Sequence, residues 1–128
     1  MNTRIVVAIT YKTKHFKPSG GERMTEMLKQ AFDKRLEDAI KLIKDFNIEY
    51  EKIGVFGSYA RGTFKGSSDI DICLVVEKKP PRWVSGELRE LCEMKGVDVV
   101  FVTSDYFENS QDRFAIKLRS DWREINEE

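Results

Sequence analysis

The chain has 128 residues, 41% of them apolar and 34% charged, a balance that suits one domain with a sizeable core and leaves little room for a second. Its 22 basic and 22 acidic side chains cancel, so net charge points to neither a nucleic-acid nor a membrane surface. No apolar run approaches the roughly 18 residues of a membrane span, and Cys73, Cys92 and His15 offer neither a disulfide framework nor a zinc spacing, which suits a reducing cytoplasm.

Residues 1–23 carry Arg4, Lys12, Lys14, Lys17 and Arg23 against Glu22 alone, so the basic charge gathered there is balanced by an acid excess downstream. Within them RIVVAITYK, residues 4–12, is β-branched and strand-like, and KPSGGE breaks it. This segment is expected to be an N-terminal extension, either an added edge strand or a translated leader ahead of Met24, with the domain proper at residues 24–128. From Met24 the period changes: Met27, Leu28, Ala31, Phe32, Leu36, Ala39, Ile40, Ile43 and Phe46 recur at three and four, predicting an amphipathic helix to about Asn47 whose stripe is a core face or, alternatively, a partner surface.

Residues 50–56 then read as a strand, 58–61 as a short helical turn, 70–76 as a second strand and KKPPRW as a surface break. A short helix is expected over 86–94 and a third strand, VDVVFVT, over 97–103. Beyond about Glu108 the spacing of Phe114, Ile116 and Leu118 predicts a helix, with residues 122–125 available as a short edge strand. Helices alternating with strands predict an α/β fold, a small mixed sheet covered by helices.

Asp69 and Asp71 interrupt this pattern. Residues two apart on a strand project from the same face, so the two carboxylates point together within an otherwise apolar run. Unpaired and half buried they repel, and one is expected to take up a proton. A hard divalent cation removes the conflict, since Mg²⁺ prefers carboxylate oxygen and completes its shell with water and phosphate. Asp98 is likewise a lone acid in an apolar strand, and a neighbouring strand would bring it to the same face as a third carboxylate. Gly57 and Ser58 end a strand and open a helical turn, a place where backbone approaches a phosphate, although such a pair is also an ordinary turn and cap.

Gly57-Ser58, ten residues, then Asp69-Ile70-Asp71 matches the GS-x10-DxD signature of the nucleotidyltransferase superfamily with a DNA polymerase β-like core, and GSYARGTFKGSSDIDICLVV resembles the minimal nucleotidyltransferase (MNT) domains. The resemblance spans roughly residues 24–105. It implies a polymerase β-like core in which Asp69, Asp71 and Asp98 are catalytic and hold two Mg²⁺ ions, with Mn²⁺ as a substitute, while Gly57 and Ser58 bind the triphosphate. Arg61 is expected to add positive charge there, and Lys65 less so, unless both are simply solvated; Tyr59 and Cys73 are expected to pack. The implied reaction moves a nucleoside monophosphate, AMP from ATP, to an acceptor and releases pyrophosphate.

The resemblance further implies a HEPN-domain partner, with the MNT protein as the antitoxin of a cytoplasmic toxin–antitoxin pair, in a homo- or hetero-oligomer. A non-catalytic partner-binding module and a small-molecule transferase similar to aminoglycoside-modifying enzymes are the alternatives. Trp83 and Trp122 form no stacking pattern, so no direct nucleic-acid binding is expected.

Overall fold

In the computed structural model, which describes residues 22–63, 65 and 68–125, a long helix α1 (Glu22–Asp45) precedes everything else. The strand read at residues 4–12, and the extension it belongs to, lie outside the described residues. Phe32, Leu36, Ala39, Ile40 and Ile43 of α1 are buried at the expected spacing, whereas Met27 is 65% exposed and Ala31 is also exposed. The helix stops two residues short of Asn47, which takes the left-handed φ of 55° that a helix exit favours.

Strand β1 (Lys52–Phe56) runs into the short helix α2 (Gly57–Arg61), then come β2 (Ile70–Val76), α3 (Arg82–Glu93), β3 (Val97–Thr103), α4 (Ser104–Asn109), α5 (Arg113–Asp121) and the two-residue β4 (Arg123–Glu124). Helix α3 starts four residues before the predicted 86, because Pro81 sits at its cap with φ −57° and presets the first turn; the double proline read as a break is the helix entrance. The helix expected beyond Glu108 is α5, which starts only at Arg113, and an unexpected short helix, α4, precedes it: Thr103 caps α4 through Tyr106 N–H at 3.2 Å and Asp112 caps α5 through Ala115 N–H at 2.8 Å. That restart changes the phase of the stripe. Ala115 and Leu118 are buried, while Phe114 and Ile116, expected inside, are 42% and 48% exposed.

The sheet is ordered β3-β2-β1-β4, with β2 and β3 parallel and the other pairs antiparallel. Strand alternation divides its side chains cleanly. Ile70, Ile72, Leu74 and Val76 join Ile53, Val55, Val97 and Val99 in the core under α1 and α3. On the other face Cys73, Val75 and Val102 pack against Phe107 of α4 and Leu118 of α5, with Phe56, Val100 and Trp122 at the margin. Asp71 and Asp98 belong to this second face by the same alternation.

Two side chains expected to pack do so. The buried Tyr59 stands 5.5 Å from the Phe32 ring and donates its hydroxyl to Asp33 Oδ1 at 2.5 Å, tying α2 to α1. Tyr59→Phe is expected to cost about 1 kcal/mol of folding stability, read as a lowered urea midpoint at unchanged slope. Cys73 is buried, and burial pushes its thiol up to about 12, so it is a small apolar filler.

Candidate active site

Asp71, the second residue of β2, lies in register between Phe56 of β1 and Asp98 of β3. Neighbouring strands are about 4.8 Å apart, so the two carboxylates are set side by side by the parallel pairing. Asp71 is half-buried and its carboxyl is pushed up to about 6, first by burial, then by the charges of Asp98 and Asp69, with Arg61 opposing. A cleft of about 350 Å³ opens over this pair, walled by Phe56, Val100 and Phe114, with Arg89 and Glu93 of α3 at its side. Phe114 stands edge-on to Phe56 at 5.8 Å between centroids, which gives its exposed ring a place in the wall.

Asp69 is exposed and lies just ahead of β2, where its charge reaches Asp71 although it does not line the cleft. Among the described residues no three His, Cys, Asp or Glu side chains stand close enough together to hold a metal ion. The structure therefore brings Asp71 and Asp98 together and leaves Asp69 at the rim.

Gly57 turns the chain from β1 into α2 with φ +79°, and a Cβ there would collide with Asp71 Oδ2. Only glycine permits both the left-handed backbone and this close approach. Its N–H donates to Asp121 Oδ2 at 3.3 Å, and Arg61 Nη1 donates to the same oxygen at 2.7 Å. Asp121, at the end of α5 and only 7% exposed, is the one buried charged side chain among the described residues. Two donors expected to meet phosphate, the Gly57 amide and Arg61, are thus turned toward a carboxylate 60 or more residues away. Ser58 follows in the first turn of α2, partly buried.

Nothing in the local sequence marks Asp121, whose role depends on α5 folding back over the turn; Arg89 and Glu93 reach the cleft only through the packing of α3 beside β3, though their spacing of four puts both on one helix face. Asp121→Ala is expected to cost about 2 kcal/mol, since it leaves the Gly57 amide and Arg61 without their acceptor, and Asp121→Asn about half as much. Chemical denaturation of the two variants checks both values.

Carboxylates on adjacent strands of a small mixed sheet, beside a glycine turn and above an open cleft, are the build of an enzyme that handles phosphoryl groups. A family model described as a nucleotidyltransferase domain matches residues 35–125, and the chain belongs to that family. It is similar to a crystal structure of a toxin–antitoxin with AMP-PNP, at 26% identity and TM-score 0.50 over 66% of this chain and 67% of that one. It also shares its fold with a candidate nucleotidyltransferase from Sulfolobus solfataricus, at 22% identity and TM-score 0.53 over 73% of this chain and 86% of that one. No curated protein matches it significantly. No helix among the described residues is long and apolar enough to cross a membrane.

Proposed function

We propose that this nucleotidyltransferase moves AMP from ATP to a hydroxyl of a partner protein, acting as the antitoxin that silences a HEPN-domain toxin in the cytoplasm. The in-register pair Asp71 and Asp98, facing one cleft beside the Gly57 turn in a chain of this family, carries the reading. The toxin–antitoxin neighbour bound to AMP-PNP supports both the adenine nucleotide and the partner. The partner's HEPN identity rests on the resemblance of the GS-x10-DxD run. The domain boundaries at residues 1–23 and 24–128 belong to the same reading.

In the step itself the acceptor oxygen attacks the α-phosphorus; a new P–O bond forms, the bond to the bridging oxygen of pyrophosphate breaks, and pyrophosphate leaves with the electron pair. Asp98, exposed at the cleft, takes the hydroxyl proton. Gly57 and Ser58 border the triphosphate, and Arg61, already held by Asp121, contributes its charge from the side. The donor set fits hard cations: Asp71 and Asp98 offer neighbouring carboxylate oxygens, and Arg61, whose charge favours the ionised Asp71, donates its hydrogen bond to Asp121 instead. Mg²⁺ ions, with Mn²⁺ as a substitute, would be held by Asp69, Asp71 and Asp98 and would supply charge neutralisation at the triphosphate.

Incubating the chain with α-labelled nucleoside triphosphates, Mg²⁺ and a HEPN-domain protein tests this directly. Label is expected on the protein acceptor from ATP, and none with Asp71→Asn. Because among the described residues no three ligating side chains are already gathered, a non-catalytic capping module is the second reading. It wins if the doubly substituted Asp69→Asn, Asp71→Asn chain still neutralises the toxin.

A further inference from the structure

A second cavity, of about 300 Å³, lies along β3 and shares Val100 and Phe114 with the catalytic cleft, so the two form one trough with the Phe114 ring between its halves. Its walls are Val102, Tyr106 and Phe114, and its one charged lining residue is Lys79. Four consecutive β3 residues from Val100 line it, including those whose side chains face opposite sides of the sheet. The trough therefore follows the edge of the strand as well as its face.

That edge is open among the described residues: β3 ends the sheet and β2 is its only strand neighbour. The Ile70 amide donates to the Gly96 carbonyl at 3.1 Å. By strand alternation the main-chain groups of Asp98, Val100 and Val102 then point toward β2, and those of Val99 and Phe101 point outward. Two residues' worth of donors and acceptors stand ready beside an apolar trough that runs into the cleft.

We propose that the acceptor is an extended polypeptide segment of the partner, which adds to the sheet along the outer edge of β3. It places an apolar side chain in the cavity beside Tyr106 and Phe114 and its reacting hydroxyl at Asp98. This rests on the nucleotidyl-transfer reading and adds direction to it. In-line displacement needs the nucleophile opposite the leaving pyrophosphate. With pyrophosphate toward the Gly57 turn on β1 and the α-phosphorus over Asp71 on β2, the nucleophile enters past Asp98 from the β3 side, where the trough lies. Lys79 at the far end selects an acidic residue in the segment. At about 3.3 Å per residue, the distance from Asp98 to Thr103 sets that acid about five positions from the hydroxyl.

Synthetic decapeptides test this with the full chain. Each carries one Tyr, Ser or Thr, an apolar residue two positions on and Glu five positions on, and a control has Lys in place of Glu. In the free chain the Val99 and Phe101 amides are expected to exchange at least tenfold faster than those of Val100 and Val102, and saturating peptide to slow them at least tenfold. N-methylating alternate peptide amides is expected to abolish that protection in one register and spare it in the other. Lys79→Glu is expected to shift preference at least tenfold toward the Lys peptide.

Val99 and Phe101 amides already slow in the free chain overturn the proposal, because residues 1–21 or a second copy then cover the edge. Equal effects of the two methylation registers overturn it as well. Label transfer to a HEPN protein without any such peptide protection removes the docking mode and leaves the proposed function standing. Protection by peptide with label transferred to no acceptor removes the function and the acceptor assignment together.

Discussion

Asp71→Asn is expected to abolish label transfer and, in the same tube, to make the metal-free protein more stable. The folded chain holds the Asp71 proton up to about pH 6 because burial and the neighbouring carboxylates penalise its charge, whereas the unfolded chain releases it near 3.8. Between those two values the folded state binds more protons than the unfolded state, so stability falls as pH rises through that window and the full cost is present above pH 6. Asparagine has no charge to penalise. One pKa unit corresponds to about 1.4 kcal/mol, and discounting for a half-exposed group leaves a gain of about 1 to 2 kcal/mol at pH 7.5 in EDTA, or about 3 to 8 °C in Tm.

The gap should narrow as pH is lowered and vanish below about pH 4, which separates it from any general improvement in packing. Activity moves the other way. A loss of at least about a thousandfold corresponds to about 4 kcal/mol of transition-state stabilisation. Scanning calorimetry across pH together with single-turnover label transfer measures both, and an Asn variant less stable than the parent at pH 7.5 would contradict the account of Asp71.

Gly57→Ala carries the second large effect. The left-handed φ of +79° costs a residue with a Cβ about 1 to 2 kcal/mol, and the collision of that Cβ with Asp71 Oδ2 adds to it. Neither side can yield easily: the glycine joins β1 to α2, and Asp71 is fixed by pairing on both sides. A total of about 3 kcal/mol is expected, with label transfer lost because the carboxylate is displaced. Introducing Asp71→Ala as well removes the colliding oxygen while keeping the strand, since Asp71 Cβ lies 3.6 Å from the added atom, an ordinary contact. The double variant should recover about 1 to 2 kcal/mol relative to additivity and retain the backbone term. Purely additive costs in urea titrations would mean that the close approach of turn and carboxylate is not what requires glycine.

Strands of strongly apolar, β-branched residues were legible in the sequence: β2 and β3 fall where IDICLVV and VDVVFVT read as strands. Their parallel pairing then turns two isolated acids, Asp71 and Asp98, into neighbours, which only the assumption of adjacency could foresee. The C-terminal third was harder, because α4 and α5 are short, separately capped and amphipathic over barely two turns, so a stripe drawn through Phe114, Ile116 and Leu118 picked the wrong phase. Asp121 was invisible for a different reason. Its significance is a contact with Gly57 and Arg61 across the fold, and an aspartate at a helix end carries no local sign of that.

The closing segment also dictates when the site can exist. Asp121 braces the Gly57 turn, Trp122 lies against Gly54 so closely that a Cβ there would come within 2.5 Å of its ring, and β4 completes the β1 edge through Ile125 N–H to Ile53 O at 2.9 Å. All of these are supplied after residue 120, whereas the residues they hold lie at least 64 positions earlier. A polypeptide that stops before Asp121 thus carries every signature residue but lacks the carboxylate that Gly57 and Arg61 donate to and the ring that lies against Gly54.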